Sequence, residues 1–169
     1  QAYMEGKIKR VCLQVVETPA SFTIVARALA KFKAYPGLPV VVSCHIANVD
    51  QAAQLFELGA ARLGIALDVA TPSLFASIKG GSFAQRWQLL SNCAERFPGK
   101  ITTHLIVGLG ETEKEMWELI CACFAKKITV ALFAFTPLQG TPLAHLAPPD
   151  RSSYRRLQIA LELLRRGYS

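Results

Sequence analysis

The sequence predicts an α/β protein of about five parallel β/α units, and three observations predict it. Five short runs, 10–16, 39–44, 62–68, 101–107 and 129–135, are nearly continuous in apolar and β-branched residues, as strands covered on both faces should be. Stretches with apolar residues at helical spacing lie between them. The repeat of roughly 25–40 residues per unit is long enough for the crossover connections that parallel strands need.

Each helix has its own signals. Residues 22–35 follow a Thr18-Pro19 start signal, and residues 49–58 follow Asn48 and end at Gly59, a residue suited to the left-handed C′ position. Residues 73–97 follow Thr71-Pro72 and read as two helices broken at Gly80-Gly81. Residues 112–126 open on acids and close on lysines, which suits the helix dipole. Residues 152–166 are the last helix. Five units do not close an eight-stranded barrel. Pattern alone leaves two architectures open, an open doubly wound sheet or a piece of a barrel.

The length of 169 residues fits a single domain over 1–169, and 51% hydrophobic content with 18% charge marks a globular chain. No apolar run reaches the roughly 18 residues of a membrane span, and no secretory signal opens the chain. Gln1-Ala2-Tyr3 reads as the end of a helix already under way, so an upstream segment is expected. Five cysteines at irregular spacing favour free thiols or metal ligands in a reducing, cytoplasmic compartment over a disulfide framework. The net charge of +7 clusters only at Arg151, Arg155, Arg156, Arg165 and Arg166. Such a cluster suits either a solvated helix face or an acidic partner. No aromatic residues interleave with these arginines as stacking platforms, which argues against nucleic acid.

In β/α folds the site lies at the carboxyl ends of the strands, and polar residues collect there. Gln14 and Glu17 follow the first strand; Ser43, Cys44 and His45 end the second; Asp68 ends the third. His104 lies in the fourth with Glu111 just beyond it, and Thr136 and Gln139 follow the fifth. Alternate residues of a strand share a face, so His104 faces with Thr102, Ile106 and Gly108, Asp68 with Ala66, and Cys12 with Gln14 and Val16. Cys12, Cys44 and His104 could then converge as metal ligands; otherwise the two cysteines are buried structural thiols. Cys121 and Cys123, two apart on a helix, face away from each other and read as structural. Residues 107–111 (Val-Gly-Leu-Gly-Glu) form a glycine loop between strand and helix. A dinucleotide fingerprint would need a third glycine where Glu113 stands, so a Rossmann site is rejected.

At this loop a family resemblance enters. His-Leu-Ile-Val-Gly-Leu-Gly-Glu-Thr (104–112) resembles the fifth-strand motif of radical S-adenosylmethionine enzymes, especially biotin synthase and its relatives. Arg-Val-Cys-Leu-Gln (10–14), Ser-Cys-His (43–45), Gly-Ile-Ala-Leu-Asp (64–68) and Phe-Thr-Pro-Leu-Gln-Gly-Thr-Pro-Leu (135–143) fall where that family's second, third, fourth and sixth strands would. The set looks most like the two-component lipoyl synthases.

The resemblance implies a partial (β/α) barrel without its N-terminal cluster-binding unit, and it implies site roles. Ile106, Gly108 and the backbone after them would pack on the adenine of S-adenosylmethionine, with Glu111 in the same pocket. Asp68 would take the ribose hydroxyls, although the companion asparagine is replaced by Ala66. Backbone around Gln14 and Val16 would take the methionine amino group. Cys12 and Cys44 match two ligands of an auxiliary iron–sulfur cluster, and His104 could stand in for the third, which falls at Thr102. The family's Cys-x3-Cys-x2-Cys motif, which holds the catalytic [4Fe-4S] cluster, is absent, so this chain alone should be inactive.

For the intact protein the resemblance implies a transferase that generates a 5′-deoxyadenosyl radical, activates a C–H bond and inserts sulfur. Its substrate would be an octanoyl chain on an acidic lipoyl carrier protein, and a second radical S-adenosylmethionine subunit would be its partner. The alternatives are a truncated non-catalytic barrel serving as scaffold or partner subunit, and a radical enzyme of this fold acting on another small molecule.

Overall fold

The computed structural model describes residues 5–6, 8–16, 18 and 20–168. Five parallel strands, β1 (Val11–Gln14), β2 (Val40–Ser43), β3 (Ala60–Gly64), β4 (Ile101–Val107) and β5 (Thr129–Ala134), hydrogen-bond in chain order. The helices α1 (Ser21–Phe32), α2 (Val49–Glu57), α3 (Pro72–Leu74), α4 (Phe83–Arg96), α5 (Glu113–Ala125) and α6 (Arg151–Arg165) alternate with them. Contacts group the chain into two compact units, 1–66 with 88–102 and 67–87 with 103–169.

In the first unit Gln14, Ser43, Gly64 and Thr102 stand side by side across four strands. A Cβ on Gly64 would come within 3.2 Å of both the Ser43 and Thr102 hydroxyls, so glycine leaves that row its room. Val25 and Leu29 of α1 and Ala52 and Leu55 of α2 are buried at the helical spacing of the sequence. Asn48 caps α2 by accepting from the Gln51 N–H at 3.0 Å, and Gln51 Oε1 accepts in return from the Ala47 N–H at 2.8 Å. The first helix starts differently from the expectation. Pro19 lies outside the described residues, and α1 begins at Ser21 after Ala20, with no side-chain cap. The buried Ser21 hydroxyl fixes this start instead, accepting from the Thr18 N–H and donating to Val16 O, both at 2.7 Å.

In the second unit Thr71 caps α3 with Pro72 in its first turn. The helix then widens into a π-turn, Phe75–Lys79, closed by the Gly80 N–H on Phe75 O at 3.0 Å. The expected break falls at Gly80 and Gly81, both at positive φ, before α4 begins. A capping box of Thr112 and Glu115 opens α5. Asp150 caps α6.

The third strand is shorter than the predicted run 62–68. In the second unit the Leu67 N–H donates to the buried Thr103 hydroxyl at 3.1 Å rather than to a backbone carbonyl, and Asp68 turns to φ +66°. The ladder survives there only as a single bridge between Asp68 and Leu105.

On the outer side of this unit Arg156 grips the Glu113 carboxylate with Nε at 2.9 Å and Nη2 at 2.7 Å, and Ser153 Oγ donates to the same group. The Arg156 and Ser153 hydrogen bonds hold Glu113 down from 4.5 to about 2. A carboxylate with a depressed folded-state pKa contributes stability above its unfolded value and loses it as pH falls. The α5–α6 pairing should therefore weaken progressively from about pH 4.5 to about pH 2. Arg156→Ala should bring acid unfolding, followed by circular dichroism, to a higher pH. An unchanged acid midpoint would count against this link.

Helix α6 also covers the free edge of β5. The Phe135 N–H bonds Val107 O at 2.8 Å, so the even-numbered carbonyls of β5 point away from β4. Val130 O accepts from Arg165 at 2.6 Å and Leu132 O from Tyr154 Oη at 3.2 Å, which leaves those two edge carbonyls satisfied.

Candidate functional site

Within the second unit Asp68 lies past the end of β3, His104 within β4 and Glu111 in the loop that follows β4. Asp68 sits between two backbone hydrogen bonds to β4. Its N–H donates to His104 O at 2.9 Å, and its carbonyl accepts from the Ile106 N–H at 2.7 Å. Positive φ is uncommon outside glycine, with Asp and Asn the tolerated exceptions, and here the strand bridge holds it in place. The Asp68 carboxylate pairs through Oδ2 with the Lys79 ammonium, which the π-turn delivers. Both side chains are about a fifth exposed, Lys79 22% and Asp68 23%.

Beside them lies an apolar cluster. Val69, Phe75 and Leu109 are buried at its centre, and Ile106, Ile78 and Phe135 pack against it. Phe75 meets Phe83 edge-on with ring centroids 5.8 Å apart. This wall suits a flat apolar ring at its half-buried positions.

The glycine loop after β4 is held by its own acid. Glu111 Oε1 accepts from the Gly108 N–H at 2.7 Å, and Oε2 from the Leu109 N–H at 3.0 Å. Gly108 has φ +102°, and a Cβ there would lie 2.8 Å from Pro149 Cδ and 3.0 Å from its backbone nitrogen. Glycine is thus required twice, for conformation and for space.

The other predicted residues are distributed as follows. His104 is half-buried and meets the Phe133 ring edge-on at 5.4 Å. Cys12, Gln14 and Val16 are exposed in the first unit, and Glu17 lies outside the described residues. Cys44 follows Ser43 and is buried as Val40 and Val42 are, whereas Cys12 is exposed, so the two thiols differ in environment within that unit. Burial raises the Cys44 thiol to about 11, which disfavours the thiolate a metal needs. Among the described residues no group of three or more His, Cys, Asp or Glu side chains could hold a metal ion; Cys12 and Cys44 belong to the first unit and His104 to the second. Cys123 is buried and Cys121 half-buried on α5. Thr136 and Gln139 are exposed.

The arginine cluster divides. Arg156 and Arg165 are engaged within the unit, Arg166 pairs with Glu162, Arg155 bonds Gln158, and Arg151 is exposed. Among the described residues no helix is long and apolar enough to cross a membrane.

Sequence reasoning missed Lys79. The signal that could have found it was its position: a long cation just before Gly80-Gly81, in the connection that follows Asp68.

No family model matches the chain, and no curated protein matches it. Solved structures do. The crystal structure of HydG, a maturase of the [FeFe]-hydrogenase, aligns over 98% of this chain and 41% of its own length, with a TM-score of 0.73 at 12% identity. HydG from Carboxydothermus hydrogenoformans aligns over 99% of this chain and 43% of its own, with a TM-score of 0.67 at 14% identity. The chain therefore spans about two-fifths of the structures it resembles. The likeness shows the fold alone, an α/β chain of five parallel strands that matches part of those structures.

Proposed function

We propose that this chain is the nucleoside-binding part of a radical S-adenosylmethionine enzyme. The observation that carries the reading is Asp68, held at positive φ by a strand bridge with its carboxylate partly exposed beside the apolar cluster of Ile106 and Leu109. The neighbouring groups fit S-adenosylmethionine. Asp68 would accept the ribose hydroxyls, Ile106 and the backbone at Gly108 would pack on the adenine, and Glu111 would keep that loop in shape. In an intact enzyme of that kind, S-adenosylmethionine would supply C–H-activating chemistry on taking one electron from a reduced [4Fe-4S] cluster and releasing methionine.

A [4Fe-4S] cluster does not fit the residues present. The Cys-x3-Cys-x2-Cys motif is absent from the sequence, and the described residues gather no ligand set. The role of this chain in the reading is to bind and orient the nucleoside. The finer assignment, sulfur insertion into an octanoyl chain on a carrier protein, rests on the order of the sequence motifs alone.

The test is titration of the chain with S-adenosylmethionine, followed by calorimetry. Asp68→Ala should weaken binding by about 1.5–3 kcal/mol, the range of hydrogen bonds to a charged group. Asp68→Asn keeps an acceptor and a residue type that tolerates positive φ, so it should lose less. Equal affinity for all three proteins would remove the ribose role.

A further inference from the structure

We infer that Lys79 is a positioning residue for the ribose site: it fixes the Asp68 carboxylate so that one oxygen stays available to a vicinal diol. The inference rests on the nucleoside-binding reading above and deepens it.

Two uncommon local structures meet at this carboxylate. Asp68 is one of two described non-glycine residues at positive φ, the other being Lys127. Such residues persist where the surroundings over-determine them, and they cluster at ligand sites. Here the surroundings are the hydrogen bonds to His104 O and from the Ile106 N–H. They leave the Asp68 backbone no freedom to re-aim its side chain. The second structure is the π-turn Phe75–Lys79, which follows α3 directly and ends on Lys79. A π-turn adds one residue to the helical turn and so changes the direction in which the following side chains leave. Without it Lys79 would leave the turn in a different direction. The plain alternative is a surface ion pair of the kind that adds little to stability. That alternative gives no reason for a strained residue and a widened helix to converge on one charge.

The chemistry of the pair supports a positioning role. A carboxylate offers about four lone-pair sites on two oxygens. Lys79 engages Oδ2, and among the described residues no hydrogen bond reaches Oδ1. A diol needs an acceptor that is both aimed and charged. The ammonium holds the side-chain rotamer while Oδ1 remains for a hydroxyl. Lys79 has no acceptor of its own, so it adds no competing demand on the hydroxyl proton.

The experiment measures ribose discrimination. The full chain is titrated with adenosine and with 2′,3′-dideoxyadenosine, and the affinity ratio is compared in the native protein, Lys79→Met, Lys79→Gln and Lys79→Arg. The native chain should favour adenosine by about tenfold, the scale of one hydrogen bond to a charged group. Lys79→Met and Lys79→Gln should bring that ratio close to one with dideoxyadenosine binding unchanged, and Lys79→Arg should restore most of it. Thermal unfolding of each variant confirms that it is folded. A ratio that survives Lys79→Met and Lys79→Gln overturns the inference and leaves the ribose role of Asp68 standing. Equal loss of both ligands makes Lys79 structural and also overturns it. A native chain that does not distinguish the two nucleosides removes the ribose site, and the inference with it.

Discussion

Gly108→Ala should destabilise the chain by about 2–5 kcal/mol. Two independent costs add. At φ +102° any side chain is strained, by about 1–2 kcal/mol. The new Cβ would also lie 2.8–3.0 Å from the ring and backbone nitrogen of Pro149. A proline ring has no rotamer with which to yield, so the loop itself must move, and overpacking of this kind costs about 1–3 kcal/mol. Gly140→Ala separates the terms, because Gly140 also has positive φ, at +82°, but nothing lies within 4 Å of its added Cβ. That variant should lose only the conformational cost of about 1–2 kcal/mol. Urea unfolding of both variants checks this. Equal losses at the two positions would show that Pro149 gives way and that the close approach is not a constraint.

The next largest effect is expected at Glu111. Its two carboxylate oxygens satisfy the Gly108 and Leu109 N–H groups, and Leu109 is only 5% exposed. Glu111→Ala leaves both donors without their acceptor. Each unsatisfied buried donor costs about 1–3 kcal/mol, and water reaching the more open Gly108 would recover part of that. The expected loss is about 2–4 kcal/mol, together with faster hydrogen exchange at the Leu109 amide. Glu111→Gln keeps one oxygen acceptor but turns an amide donor toward the second N–H, so it should recover only part of the difference. If Glu111→Ala falls within about 0.5 kcal/mol of the native chain, as neutral surface changes do, the loop is held by something other than this carboxylate. The same substitution should weaken nucleoside binding, since in the proposed reading this loop packs on the adenine.

The element pattern was legible in the sequence because its signals are local. The run 101–107 is β4 without change, and 129–135 and 39–44 differ from β5 and β2 by a residue or two. Buried parallel strands leave continuous apolar runs, and Asn48, Thr71 and Thr112 cap the helices they precede. The break at Gly80-Gly81 was equally local. Glu111 was also readable, because a carboxylate just past a glycine loop at a helix start is well placed for backbone N–H groups. The early end of β3 was not. From Leu63 to Leu67 the run holds only apolar residues and glycine, and nothing in it announces that the Thr103 hydroxyl would replace a ladder carbonyl for the Leu67 N–H.

The order of the strands in the sheet came from the structure; by itself, then, the sequence determined five β/α units, the glycine loop with its acid, and the positions of Asp68, Ile106 and Gly108 along the chain. These follow from periodicity, caps and turn chemistry, which act over a few residues. Tertiary structure alone decided which partners those residues meet: Lys79 on Asp68, Pro149 against Gly108, Arg156 on Glu113 and Arg165 on the edge of β5. It also decided that Cys44 is buried while Cys12 is exposed. The physical reason is distance along the chain. Lys79 is 11 residues from Asp68, while Pro149 and Arg156 are 41 and 43 residues from their partners, as the numbering gives directly. No local pattern encodes a meeting at such separations. A π-turn, a strand bridge and the packing of α6 on α5 bring these side chains together only when the whole unit has folded.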